Sequence, residues 1–192
     1  MRIHQLIVLL AFTLFQNSTV YASDEFGLCK SIKDFAPQLP DLPPPLENGA
    51  VQLFADQANV DEKQGYSSFK GDVLLQRPDQ VLRTPSLTYD RNQDSVNTDA
   101  PFTLWDRDFV IQGEKLRLRS QYQGTMEEVT YWLFKRRGHG QAETVTRAGK
   151  DLFFLEKSDY STCDPDNQIW YLRTKELTLN MADEIGTAHH VT

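Results

Sequence analysis

Cysteine is nearly absent from this chain of 192 residues, which has only Cys29 and Cys163. Such a length folds an ordinary domain without disulfide staples, so neither cysteine is needed merely to make a core possible. Long apolar runs are lacking too. The one apolar stretch, Leu6 to Phe15, is about half the ~20 residues that a membrane-spanning helix requires. Positive charge is in deficit: the formal net charge is −7, which argues against a general affinity for nucleic acid or for an anionic membrane. Helical periodicity is missing from residue 49 onward. QLFADQANVD (52–61) is the only serious candidate, and its Val51, Leu53, Ala55 alternation reads as strand. There is no G-x-S-x-G elbow and no Gly-rich phosphate loop. His139, His189 and His190 stand at no zinc-site spacing and read as surface histidines. Asp164 and Asp166 flank Pro165 in a turn, where backbone geometry alone accounts for them, and they offer too few oxygens for calcium. The chain is read as a non-enzyme, with no catalytic residue, no metal site and no cofactor.

What is present begins with an export pattern. Arg2 precedes the apolar run, a polar stretch follows, and Val20, Tyr21 and Ala22 form a small-residue site, so residues 1–22 read as a secretory signal peptide cut after Ala22. Cys29 is not a lipidation site. Phe26, Gly27 and Leu28 precede it, and polar Gln16 to Thr19 separate it from the apolar run. The exported chain thus carries two cysteines into a compartment where disulfides persist. Residues 23–48 hold Cys29 and then PQLPDLPPPL, which favours extended polyproline II and cannot join a central strand; they read as a linker.

From Gly49 to Thr192 the chain alternates. EKLRLRS (114–120), EEVTYWLF (127–134) and KELTLN (175–180) switch character nearly every residue, the period of a strand with two unlike faces. Leu116 and Leu118 face one way, and Lys115, Arg117 and Arg119 the other. Lys and Arg outnumber Asp and Glu between Arg107 and Lys150, which suits solvated strand faces. LTYDRNQDSV (87–96) and LTLNMADEIG (177–186) share an outline: a strand end, a polar turn and a return strand. LRLRSQYQGT (116–125) fits it less closely. Hairpin-sized repeats bury their apolar faces only by stacking, which predicts an all-β antiparallel sheet folded over on itself. Alternation does not distinguish a filled interior from an open groove.

Three stretches carry a family resemblance: FKGDVLLQRPDQVLRTPSLTYDRNQDSV (69–96), PFTLWDRDFVIQGEKLRL (101–118) and YSTCDPDNQIWYLRTKELTLN with IGTAHHV after it (160–191). The Tyr-x-x-Cys-x-Pro turn, followed by a Trp strand and an L-x-L strand, is the most specific. With an early cysteine after the signal, the sequence resembles the periplasmic N-terminal domain of the lipopolysaccharide-assembly protein LptD family (organic solvent tolerance, OstA-like) of Gram-negative bacteria.

The resemblance implies an open β-jellyroll, a V-shaped sheet whose apolar interior takes the acyl chains of lipopolysaccharide. It also implies edge-strand pairing with a jellyroll protein bridging the periplasm, at the inner side of the outer membrane. On that reading the lipid-groove candidates are Phe69, Val73, Leu75, Leu87, Tyr89, Phe102, Leu104, Phe109, Ile111, Leu116, Leu118, Val129, Tyr131, Leu133, Leu177 and Leu179. The family continues into an outer-membrane barrel plugged by a lipoprotein. This sequence stops at Thr192, so the expectation is a polypeptide without the barrel: a truncated or split version, or a stand-alone domain. In the family, the two N-terminal cysteines pair with barrel cysteines. Cys29 and Cys163 match those positions, and bonding to each other is the alternative. A different class of function, a filled β-sandwich that binds a soluble glycan or scaffolds a protein partner, fits the same alternation.

Overall fold

The computed structural model describes residues 36–42, 44, 50–119, 122–135, 137–164 and 169–192. The expected signal peptide, Cys29 and most of the linker lie outside the described residues. Among the described residues there is no α-helix. Thirteen strands form one sheet in which every pairing is antiparallel. They are β1 Gln52–Phe54, β2 Gln57–Asp61, β3 Tyr66–Gln76, β4 Gln80–Asp90, β5 Ser95–Thr98, β6 Phe102–Asp106, β7 Phe109–Gly113, β8 Lys115–Arg119, β9 Gln123–Leu133, β10 Gly138–Ala148, β11 Leu152–Tyr160, β12 Leu172–Asn180 and β13 Ile185–Val191.

Three of the hairpin turns use one device. Asp61, Asp90 and Asn180 each end a strand and accept, through a side-chain oxygen, the backbone N–H groups two and three residues on, at 2.8 to 3.3 Å. Four residues after each, Gly65, Asp94 and Glu184 take positive φ and turn the chain into the return strand. An Asx side chain satisfies the donors that the turn leaves unpaired. The LTYDRNQDSV and LTLNMADEIG repeat is the sequence trace of this turn.

The sheet folds because its long strands bend. β9 pairs with β8 through Gly124 to Glu127 but with β7 through Thr130 to Leu133. Likewise β4 pairs with β6 near its start and with β5 near its end. An upper leaf, containing β5 and β8, and a lower leaf, containing β6 and β7, therefore share strands across a corner. At the corner Asp72, Glu128, Lys157 and His190 take φ of 38°, 52°, 47° and 56° on β3, β9, β11 and β13. On the last three of these strands the flanking residues are paired and the residue itself is passed over. Such left-handed positions cost ~1–2 kcal/mol each for non-glycine residues. The pairing register is kept across the last three and shifts only in β3, between Lys70 and Val73, where a bulge adds to the bending. Small hydroxyl residues line the inside of the bend. The Thr84 hydroxyl lies 3.1 Å from Pro101 O and 3.1 Å from the Thr98 hydroxyl. The Thr174 hydroxyl lies 2.7 Å from Glu176 O and accepts from the Glu176 amide at 3.2 Å. They take up backbone groups that the bend removes from the ladder.

The two leaves close on one continuous core. Val96 and Leu116 from the upper leaf meet Leu104 and Ile111 from the lower, joined by Leu82, Met126, Val145 and Leu155. The fold is thus the folded-over antiparallel sheet expected, an open β-jellyroll. A second, smaller cluster lies on the outer face of the lower leaf. Val81, Trp105 and Val110 pack there with Leu74 and Trp132, under Ala36 and Leu42 of the Pro-rich stretch. Trp105 Nε1 donates to Pro37 O at 3.1 Å. The described part of that stretch is therefore a strap laid along the lower leaf.

Candidate functional site

Every one of the lipid-groove candidates belongs to the inter-leaf core or packs against it. They do not all do the same thing. Val73, Leu87, Leu104, Leu116, Val129 and Tyr131 are at most 2% exposed, so their side chains already touch protein on all sides. Leu133, Leu177 and Leu179 line a cavity of about 330 Å³ where the leaves part toward β12 and β13. Leu133, Tyr160 and Leu172 form its lower wall, and Leu177, Leu179, Met181, Ile185 and Ala188 its upper wall. Leu133, Leu179 and Met181 also bound a gap of about 20 Å³ that runs inward to Phe109, Ile111 and Phe153. The interior is close-packed through most of its length and becomes a groove at one end.

Tyr160, Leu172, Met181, Ile185 and Ala188 were not singled out by alternation. Met181 sits in a turn, where strand period gives no signal. Ile185, 58% exposed, and Ala188 lie on the edge strand within IGTAHHV. Lys135 and Glu184 stand at the rim, and Lys135 pairs with Asp108 at 3.6 Å.

Tyr131 ties the lower leaf beside this groove. Its buried hydroxyl donates to Asp159 O at 2.6 Å, and burial pushes its ionisation far above the usual phenol range. The hydroxyl is a fixed donor and not a proton-transfer group. Larger concavities of about 610, 570 and 900 Å³ run along the corner and the outer faces. Their walls carry solvated charges such as Asp72 and Arg83, paired at 2.6 Å, a pairing that holds the Asp72 carboxyl below its ordinary value. Exposed pairs of this kind contribute little to stability and offer no enclosed chemistry.

His139 corrects a sequence expectation. It is 5% exposed, not a surface residue, and its ring Nε2 contacts the carbonyl of Cys163. It faces outward from the lower leaf, and the chain around Ser161 to Asp164 folds over that face, bonding Ser161 to the His139 backbone. His189 and His190 are exposed, as expected. Cys163 is fully buried and disulfide-bonded. Among the described residues no cluster of three or more His, Cys, Asp or Glu is arranged to hold a metal, and no helix is long and apolar enough to cross a membrane.

Comparison with known proteins points one way. Residues 45–127 match the family described as lipopolysaccharide-assembly, LptC-related. The LPS-assembly protein LptD of Alkalilimnicola ehrlichii is 34% identical over 138 residues, covering 71% of this chain and 18% of that protein. LptD of Cupriavidus metallidurans is 31% identical over 134 residues, covering 67% and 16%. The crystal structure of LptH, the LptA homologous periplasmic component of the lipopolysaccharide transport device from Pseudomonas aeruginosa, aligns with a TM-score of 0.45 and 19% identity over 51% of this chain and 75% of that one. The chain spans under a fifth of the length of these two LptD relatives. Residues 45–127 form an LptC-related lipopolysaccharide-assembly domain, and the chain is homologous to a segment of the LPS-assembly protein LptD.

Proposed function

We propose that this chain acts in lipopolysaccharide transport and outer-membrane assembly, as an exported periplasmic domain that shelters acyl chains between its leaves. The observation that carries the reading is the cavity of about 330 Å³ with leucines on both walls and Met181 and Ile185 on the upper one, at the end where the core stops being filled. An acyl chain lying there gains ~0.8 kcal/mol per buried CH₂, so a partly sheltered chain binds and still leaves. The close-packed candidates act as the rigid floor and Leu133, Leu177 and Leu179 as contact residues. Among the described residues β13 pairs only with β12, and its other edge suits pairing with a strand of the next jellyroll in a periplasmic bridge. Where the chain operates with a barrel and its plug lipoprotein, the groove faces that assembly from the periplasmic side.

A photo-crosslinking residue at Ile185 tests the groove. Labelled lipopolysaccharide is captured there and not at Leu116, which is fully buried. Absence of capture at Ile185 and at Leu133 sinks this reading and leaves the glycan-binding or scaffolding sandwich.

Cys29, the other cysteine of this sequence, is the proposed partner of Cys163, which is disulfide-bonded. That bond closes a loop of roughly 130 residues and constrains the unfolded chain by roughly 4 to 5 kcal/mol in the entropy picture. The Trp105 contact to Pro37 lays the strap toward the same outer face that Cys163 covers. Peptide mass mapping under nonreducing conditions yields a Cys29 to Cys163 linked pair. Two free thiols in the exported, oxidised chain count against it.

A further inference from the structure

The mouth of the folded sheet is built differently on its two sides. Toward β12 and β13 it opens on the apolar groove. Toward β6, β7 and β10 it is closed by a charge in a position where the strand pattern calls for a hydrophobe. Arg147 follows Val145 in the inward register of β10 and is 2% exposed. A buried guanidinium at the end of an apolar core costs several kcal/mol unless its donors are met, and a hydrophobic residue of similar volume is often as stable. Its retention here calls for a role beyond stability.

The contacts of Arg147 indicate what that role is. Nε donates to Gly149 O at 3.0 Å and Nη2 to Lys150 O at 2.7 Å, which stiffens its own turn at the tip of the upper leaf. Nη2 also lies 3.6 Å from Asp106, at the tip of the lower leaf, and that carboxylate accepts from Gln80 Nε2 at 2.8 Å. The guanidinium carbon is 4.9 to 5.3 Å from the ring centres of Tyr122 and Phe153 on the upper leaf and Phe109 on the lower. Phe109 and Phe153 meet edge to face with centroids 5.3 Å apart. The Tyr122 hydroxyl crosses the same gap to Asp79 at 2.6 Å. Cation, carboxylate and rings therefore join the tips of the two leaves, and the joint is dry enough for each contact to count.

We propose that Arg147 locks the leaves together on this side and so restricts the entry of acyl chains to the β12 and β13 side. The entry half rests on the groove reading above, whereas the lock half stands without any lipid.

Amide hydrogen exchange on the full chain, without lipid, tests the lock. In Arg147→Met the turns at 106–109 and 149–152 exchange roughly tenfold faster or more, while strand amides at 129–131 and 172–174 keep their wild-type rates. Asp106→Asn, which removes only the cross-leaf charge, moves the 106–109 turn in the same direction by less. It decides the matter if Arg147→Met fails to fold by circular dichroism. Unchanged exchange at 106–109 in the folded variants overturns the lock. For entry, labelled lipid A is offered to chains carrying a photo-crosslinker at Ile185 or at Lys150. Wild type is captured at 185 alone, and Arg147→Met at both. Equal capture at both positions in wild type overturns restricted entry. No capture at 185 in wild type overturns the groove reading and the entry half with it, and the exchange data still decide the lock.

Discussion

Gly140→Ala destabilises the fold by about 3 to 5 kcal/mol. A Cβ built at Gly140 falls 2.0 Å from the Asp159 carbonyl oxygen and 2.8 Å from the Tyr131 hydroxyl. The first is backbone and cannot swing aside. At this point β9 and β10 are held to the end of β11 and the residue just beyond it by the Tyr131 to Asp159 hydrogen bond, by Gln141 N donating to the Asp159 carboxylate at 2.8 Å, and by the His139 to Ser161 bridge. Making room for one carbon separates all three and strands a buried phenol without its acceptor, itself a loss of about 1 to 3 kcal/mol. Thermal unfolding reports it as a fall in midpoint of roughly 10 °C, at ~2–4 °C per kcal/mol for a domain of this size. Tyr131→Phe, which removes the hydrogen bond but adds no clash, costs about 1 to 2 kcal/mol by comparison. A Gly140→Ala midpoint within 2 °C of wild type means that β10 and β11 are not as close as described.

That glycine shows how far the sequence was legible. Alternation in EKLRLRS located β8 and both of its faces: Leu116 is fully buried, while Lys115, Arg117 and Arg119 are exposed. The same rule assigned an inward face to EEVTYWLF, with Val129, Tyr131 and Leu133 in the core. It had nothing to say about Gly140, because the need for glycine there arises from a carbonyl nineteen residues on, reached across strands. The corner was hidden for a related reason. Across the bend the inward face slips by one residue with the pairing register unchanged, so Glu128 and Lys157 read as ordinary polar positions although they are where the sheet turns back.

The outer face of the lower leaf misled the pattern differently. Trp105, Val110 and Trp132 have the parity of solvated positions, yet all three belong to the cluster that Ala36 and Leu42 of the Pro-rich strap pack against, and Trp105 bonds to Pro37. A linker looks polar-facing and independent in sequence because its partner surface lies far along the chain. His139 was misread by the same logic: its cover is the segment around Cys163, contributed from beyond β11. The third Asx turn, at Asp61, went unnoticed because it lacks the Leu-Thr lead that marks the other two.

Leu179→Asp abolishes capture of lipopolysaccharide at Ile185, lowering affinity by about a hundredfold or more, while the chain stays folded. The two halves of that statement follow from where Leu179 sits. It is inward on β12, pairs in register with Phe153 and Gly186, and lines both the groove and the narrow gap behind it, yet it is only partly buried. A carboxylate there keeps its water when the groove is empty, so folding loses only the leucine contacts, about 1.5 to 3 kcal/mol. When an acyl chain enters, that water must leave, and desolvating an unpaired carboxylate costs several kcal/mol more than the chain recovers. Binding therefore fails at a site where folding does not. Leu116→Asp reverses the order: with no exposed surface to rehydrate, it unfolds the chain before binding is asked about. Fluorescent lipopolysaccharide titrated into wild type, Leu179→Met and Leu179→Asp separates the contributions. Methionine conserves the apolar wall and keeps affinity within about threefold, since volume-conserving apolar swaps cost under ~1.5 kcal/mol. Undiminished binding by folded Leu179→Asp removes the groove from the transport path and moves the search for the lipid to the sheet edge at β13.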